Sequence, residues 1–563
     1  MTQVATADTL MAPVSQWQQF GDIAFQLQTQ GDQVVAEMKV PVAIAGSREM
    51  QTSRRPIVLT TGSHHMQILW YPRRDDSPVL GMFPFVFLKE QQRWIPRGAA
   101  FLQPHFSLED ELGRWSQTCI ACHATHGRMM PLSQISTVEG ELYWDPTSAK
   151  PEVAEFGISC EACHGPGQIH TQQNQDPLYR YQQHLAHDGG DDIVNPSRLP
   201  HERQSEVCGQ CHSVQCLTQV ESWWTKGFEY RPGDDLHQSS ERFVFRVSDR
   251  EERRHQEFLA DHPDFVQDHF WSDGMVRISG REYNGLIESP CYQRGQLSCM
   301  SCHQMHQSAD DTRSTTDWSD DQLAADAVQH HACTQCHPAF LDPDSLVAHT
   351  HHAANSTGSD CYNCHMPHTT YGLLKAIRSH QIDTPTVQAS LTTGRPNACN
   401  LCHLDRTLEW TSEHLHQWYG QTQPDLSEDE RSIAASILWA MRGDAGQRAL
   451  MAWSFGWPVA QQASSIDWLP PFLTQLLNDP YPAVRLIAER SLRSVAPYET
   501  LRYDFLSEPN QRAPAMRQAL TIWQSTIRKH NPQVLIDPSG NLMTGEFRRL
   551  LKARDDRPIV LVE

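Results

Sequence analysis

Cys160-Glu161-Ala162-Cys163-His164-Gly165-Pro166-Gly167-Gln168-Ile169-His170 opens with a five-residue pattern, Cys, two residues, Cys, His, that recurs between Cys119 and His403. The other copies are Cys119/Cys122/His123, Cys208/Cys211/His212, Cys299/Cys302/His303, Cys333/Cys336/His337, Cys361/Cys364/His365 and Cys399/Cys402/His403, seven in all. Each is the attachment signature of a c-type haem. Two thiols three positions apart reach the two vinyl groups of one porphyrin, and the adjacent imidazole lies over the iron as its proximal ligand. Paired Cys-x-x-Cys motifs also build tetrahedral zinc sites, but zinc does not require histidine directly after the second cysteine. Histidine is 30 of 563 residues, so seven such coincidences would arise with a probability on the order of one in a billion. The pattern therefore predicts seven covalently attached haem c groups.

Composition bounds the setting. Fourteen of sixteen cysteines belong to the motifs, leaving Cys216 and Cys291. Haem is attached covalently outside the cytoplasmic membrane, so a periplasmic or extracellular location is expected, where the two spare thiols form either one disulfide or two buried free groups. Met1 to Phe20 has neither a basic n-region nor an apolar h-region and does not read as a secretory signal. Apolar runs such as Val40 to Ala45 and Met82 to Leu88 are too short to span a bilayer, so no transmembrane segment is expected. A net charge of −21 argues against nucleic acid as a partner. It also keeps the chain soluble, and it suits a basic redox partner drawn in by long-range attraction.

Along the chain the expected fold class is mixed. Residues 1–110 read as a small β-rich domain. Ile23, Phe25 and Leu27 alternate with polar residues, Gln30-Gly31-Asp32 makes a turn, and Val34 to Val40 continues the alternation, predicting a hairpin. Ile57 to Thr60, Met66 to Tyr71 and Phe83 to Leu88 are further strands. Residues 111–425 read as a loop- and helix-rich heptahaem core with little sheet, because roughly 40 residues per haem leave the cofactors to fill the interior. Its longest gap between motifs, His212 to Cys299, contains Trp223-Trp224 and Phe243 to Val247 and suggests an insertion or cover. Residues 426–532 turn helical, with apolar spacings of three and four over Asp429 to Arg442, Gln447 to Trp453, Trp468 to Asn478, Tyr481 to Val495 and Ala513 to His530. Asn478-Asp479-Pro480 followed by Val484-Arg485 resembles a HEAT repeat, an alternative being an ordinary bundle. Residues 533–563 form a tail with Val534 to Ile536, a basic helix near Glu546 to Arg554 and an apolar end, Ile559 to Val562, that packs back on the helices.

The second ligand of each iron decides the chemistry. A second histidine closes the iron for electron transfer, whereas an open face admits a substrate. Twenty-three histidines remain beyond the seven proximal ones. His170 and His306 lie too close to their own motifs to cross the porphyrin plane, so each is expected to serve a neighbouring haem. His349 and His352 precede motif six and share a face if that segment is helical; His380 follows the same motif. One of His64 and His65, in the Gly62-Ser63-His64-His65 turn, is a further candidate, with His126, His201, His330, His331 and His414 behind them. Met305 and Met366 read as packing residues.

Gly157 to His170, Cys299 to His306 and Cys364-His365-Met366-Pro367 with the preceding His349 to His352 cluster together resemble periplasmic multihaem cytochromes related to the tetrahaem cytochrome of nitrifying bacteria. The resemblance covers roughly residues 60–420. It implies distal ligation by His170, His306 and the histidines flanking motif six. The chain departs from that family in haem number and terminal domains, so the family's partner does not carry over. What is expected is an electron-transfer protein working between a donor and an acceptor redox protein, its HEAT-like part available to a docking partner. The alternative is an oxidoreductase with one open haem acting on a small nitrogen or sulfur compound.

Overall fold

The computed structural model describes residues 2–12, 15–44, 47–62, 64–73, 79–104, 115–129, 136–138, 141–143, 151–186, 193–328 and 331–561. Met1, Ala45, Ser63, Leu112, His330 and Val562, each part of a stretch discussed above, lie outside them. The chain divides into two units, Met1–Gly98 with Ser107–Val244, and Ala99–Phe106 with Phe245–Glu563. An N-terminal β-rich region is followed by helix-rich chain whose remaining sheets are two-stranded.

In the first unit the strands are β1 (Gln3–Val4), β2 (Gln18–Phe20), β3 (Ile23–Gln30), β4 (Gln33–Ile44), β5 (Ser47–Ile57), β6 (Leu59–Thr61), β7 (Met66–Pro72), β8 (Leu80–Leu88) and β9 (Arg93–Pro96). They form two antiparallel sheets, β2-β3-β4-β5 and β1-β6-β7-β8-β9. The hairpin closes with Gln30 opposite Gln33. Gly31 between them has φ +61°, a conformation a Cβ would disfavour. β4 continues past Val40 to Ile44 because β5 pairs with it to the end.

Alternation along the strands sorts side chains to two faces. Phe25, Leu27, Val34 and Met38 from one sheet meet Leu69, Phe83, Phe85, Phe87 and Trp94 from the other. Phe25 stacks on Phe85 at 4.5 Å and meets Phe83 and Trp94 edge-on, each at 5.3 Å. Burial of each such ring contributes about 1.5–3 kcal/mol. On the opposite face Trp70, Leu80 and Met82 pack against Trp115, Ile120, Ala124 and Trp223, which seats motif one on the sheet. Trp223 thereby belongs to this core, and the strand Arg242–Val244 pairs with Gln215–Leu217. This portion of the long gap is built into the unit and forms no separate insertion.

In the second unit, short helices and turns carry motifs four to seven, and a layer of longer helices follows. Helix Ala445–Ser454 packs on Ala435–Arg442 and on Pro482–Arg493, and Pro470–Leu476 packs on Pro482–Arg493 and Pro509–Gln524. Pro470, Pro482 and Pro509 occupy first turns, where a missing N–H loses no helical bond. The expected helix Asp429 to Arg442 is broken at Ile433, with φ −112° and ψ 139°. Ala434 and Ala435 donate instead to the carbonyls of Gln533 and Arg406, tertiary bonds that outcompete the local ones. The last long helix runs Pro509–Gln524 rather than Ala513 to His530. Beyond it Arg528 leaves the helix, lies 4.0 Å over Trp523 and donates to the Gly540 carbonyl. The tail does pack back: Leu561 N–H donates to Leu102 and Ile559 N–H to the Tyr481 hydroxyl.

Arg448 and Asp479, each 1% exposed, form a two-pronged ion pair with N···O distances of 2.6 and 3.2 Å. Removing one partner of a buried pair strands the other charge. Asp479→Ala is therefore expected to cost about 3–5 kcal/mol, read from the urea midpoint, with Asp479→Asn milder. His368 lies between Trp453 and Trp457, 4.6 and 5.0 Å away, and burial, reinforced by the Arg378 charge, pulls it down to about 3. The unfolded ring titrates near 6.5, so the contribution of the neutral ring is full above that pH and is lost as pH falls towards 3. A urea series across this window should show His368→Gln losing less stability on acidification than the wild type.

Candidate metal centres

Each motif folds as one tight turn. Backbone N–H groups of His212, His303, His337 and His403 donate to the carbonyls of Cys208, Cys299, Cys333 and Cys399 at 2.8–3.0 Å, and Cys160–His164 and Cys361–His365 are single helical turns. At about 3.6 residues per turn, positions i, i+3 and i+4 share one side. Both thiols and the imidazole thus address a single group. Asn397 and Asp360 start the last two motif turns by accepting from Cys399 N at 3.0 Å and Tyr362 N at 3.3 Å. Cys216 and Cys291 are free thiols, the former buried.

The motif turns are anchored on one side by buried residues. In motif one Ile120 is fully buried against the sheet, while His123, at the end of the turn Ile120–His123, is held there through its carbonyl, which accepts from Gly157 N at 3.0 Å. In motif five Ala332 and Thr334 of the turn His331–Thr334 are the buried residues, and Cys336, whose N–H donates to the Cys333 carbonyl at 3.1 Å, lies beyond the end of that turn.

Three motif histidines in the second unit face a second histidine. Ring centres of His303 and His380 are 6.3 Å apart with planes inclined by 20°. For His365 and His349 the values are 6.1 Å and 8°, and for His403 and His352 they are 6.0 Å and 28°. One metal with two axial nitrogens at about 2 Å, each about 1.1 Å from its ring centre, separates the rings by about 6 Å. The donor set in each pair, two imidazoles and no third protein ligand, is the one a six-coordinate haem iron takes. Among the described residues no three His, Cys, Asp or Glu side chains converge on a metal site.

The rings are held from behind. His303 Nδ1 donates to the Asp321 carbonyl at 2.9 Å, His365 Nδ1 to Asp383 at 2.8 Å and His352 Nδ1 to Thr350 at 2.6 Å. In the first unit His164 Nδ1 donates to Val194 at 2.7 Å. With the proton on Nδ1, the bare Nε2 turns inward, the tautomer a metal needs. Burial pulls His403 down to about 4, with the His352 charge adding to the effect, and lowers His349, with His365 adding to it. Arg395, itself buried, bridges Asp273 and Asp383 at 2.8 and 3.2 Å and so fixes the segment whose carbonyl orients His365. Motif seven is gripped by the helical layer. Ser464 Oγ accepts from Leu404 N and donates to the Cys402 carbonyl, and Ser436 Oγ donates to Leu404.

Thiols of different motifs also meet. In the first unit Cys122 hydrogen-bonds Cys211, and Cys163 lies within the field of Cys208, so motif three lies between one and two. In the second, Cys333 bonds Cys361, feels Cys302, and Cys364 acts on Cys399 and Cys402, giving the order four, five, six, seven. Arg242, pulled down to about 10 by burial and set 3.6 Å over Phe228, lies beside Cys211 and Cys122.

The remaining candidates are placed as follows. His170 is on helix Gln168–Gln173 with Asn174 Nδ2 3.3 Å from its Nδ1. His306 is exposed after motif four, and His64 and His65 precede β7, with the His65 carbonyl bonded by Lys89 N–H. His414 packs on Trp410 and Trp418 and bonds the Trp410 carbonyl, a packing role. His349 and His352 do not share a helix face. The helix Pro343–Thr350 ends before His351, whose φ of 56° redirects the chain, so the two rings serve different motifs. Sequence reading missed the carbonyls of Asp321, Asp383, Thr350 and Val194, which have no side-chain signature, and the serine grips on motif seven.

No protein-family model and no curated protein matches the chain. Among solved structures, the crystal structure of the outer cell wall cytochrome OcwA is similar, at 16% identity and a TM-score of 0.40, over 78% of this chain and 88% of that one.

A Cβ on Gly358 would lie 2.2 Å from His352 Cδ2 and 2.5 Å from Cγ. Gly358→Ala is therefore expected to push His352 away from His403 while leaving the His349–His365 separation at 6.1 Å, as a crystal structure of the variant would show.

Proposed function

We propose that the protein is a heptahaem c-type cytochrome that passes electrons along a closely packed haem chain between redox proteins outside the cytoplasmic membrane. The observation that carries this reading is the set of three imidazole pairs at 6.0–6.3 Å, each built on a motif histidine. Haem c, when bound, supplies a one-electron iron couple. His380, His349 and His352 close the second axial face at motifs four, six and seven, so these sites transfer electrons without admitting a substrate. By resemblance, His170 and His306 are assigned the same role elsewhere, and one of His64 and His65 is added to them.

The nearness of Cys122 to Cys211, whose carbonyl lies 3.7 Å from the Cys122 sulfur, and of Cys333 to Cys361 supports close packing of the groups they anchor. Residues 111–425 are read as the haem-bearing domain and 426–532 as its HEAT-like support. The net charge of −21 favours a basic redox partner, whose association should weaken with salt.

Electron paramagnetic resonance of the oxidised holoprotein, with a pyridine haemochrome count, tests the reading. Seven haems per chain, all low-spin, and no carbon monoxide adduct in the reduced form are expected. A high-spin signal from one haem would overturn pure conduction in favour of an oxidoreductase.

A further inference from the structure

Arg378 is a partly buried guanidinium turned onto motif six. Its Nη1 donates to the carbonyls of Tyr362 at 2.9 Å and Met366 at 3.3 Å, and its Nη2 to Asn363 Oδ1 at 2.8 Å. The first two acceptors are carbonyls at the C-terminal end of the turn Cys361–His365, which a cation complements. All three are neutral. Arg277, Arg395 and Arg448 of this unit are paired with carboxylates, Asp444, Asp273 with Asp383, and Asp479, whereas Arg485 donates, like Arg378, to main-chain carbonyls. Among the described residues Arg378 has no carboxylate in contact. The charged or ionisable groups that face it are Asp360, Cys402, Tyr362 and Cys364. Cys364 and Cys402 anchor the sixth and seventh groups, and the turns carrying them, Cys361–His365 and Ala398–Cys402, pack together.

We propose that Arg378 tunes the electron affinity of the two centres built on motifs six and seven, raising their reduction potentials. This inference rests on the proposed function. Reduction of an iron adds one negative charge. A cation beside the turns that carry the iron's ligands favours the reduced form, and burial and nearby charge are among the levers a protein has on haem potential. Removing the cation must therefore lower both potentials, and removing the nearest carboxylate must raise them. Arg378 acts through its field and touches no ligand nitrogen, so it is a positioning charge for electrons and not a catalytic residue.

The experiment is a spectropotentiometric titration of the full-length holoprotein, wild type against Arg378→Gln, Arg378→Lys and Asp360→Asn. The Gln variant is expected to shift two of the haems to more negative potential and leave the others in place, with low-spin resonance signals retained. The Lys variant should stay near wild type, and Asp360→Asn should move the same two in the positive direction. Asp360→Asn decides the matter even if Arg378→Gln does not fold, because Asn still caps the motif turn. Superimposable titrations, or an equal shift of all haems, would overturn the proposal. A wild type lacking covalent haem or low-spin signals would instead sink the functional reading, so the two failures are distinct.

Discussion

Imidazole rings whose centres lie about 6 Å apart gain little from one another; on the proposed function that spacing is the one a metal held between them requires. In the second unit this happens three times, and much of the surrounding chain serves to hold the six rings. The means are modest. A backbone carbonyl fixes one Nδ1 per pair, from Asp321, Asp383 or Thr350, and a further layer fixes the carbonyl. Arg395 pins Asp383, and the Thr350 hydroxyl bonds that of Ser359 at 2.9 Å. Gly358 is small because His352 lies against it.

This hierarchy explains what the sequence could reveal. The thiols and proximal ring of one motif lie within five residues, so their geometry is local and their meaning was legible. The partner of each ring is a tertiary matter. His349, His352 and His380 stood out as histidines near motif six, yet nothing local says that His380 faces His303 or that His352 faces His403. The helical face assumed for His349 and His352 failed for a definite reason: His351 adopts a left-handed conformation that ends the helix between them. Main-chain acceptors such as Asp321 O contribute no residue type to read. The order of the motifs in space, one-three-two in the first unit, is set by folding alone.

In the N-terminal region the alternation of Ile23, Phe25 and Leu27 announced a sheet with one buried face. The sheet containing β8 buries both faces, and period-two patterning cannot reveal this when each face is apolar for a different neighbour. Phe83, Phe85 and Phe87 fill the sandwich, while Leu80 and Met82 support Trp115 and Ile120 beside motif one. In the helical layer, apolar spacings of three and four marked the helices. Its interruptions, at Ile433 and after Gln524, came from bonds to distant carbonyls that compete with the helix.

Those helices also answer a problem that a cofactor-filled core creates. Motif segments of four or five residues cannot nucleate stable helices on their own, and their side chains are committed to the cofactor rather than to one another. Stability must then come from chain that carries no motif. Helices Ala435–Arg442 to Pro509–Gln524 supply it, with Ile437, Ala440, Ala449, Leu473, Val484 and Leu492 fully or almost fully buried. They are tied to motif seven through Ser436 and Ser464, and to the chain before motif six through Arg277 and Asp444. Buried ion pairs of this kind add little net stability, since desolvation offsets the attraction. What they add is geometric: a guanidinium paired to one carboxylate allows one relative placement of two segments. Rings that must stay near 6 Å apart across long stretches of chain require that placement, and so the layer without motifs is part of the metal centres' construction.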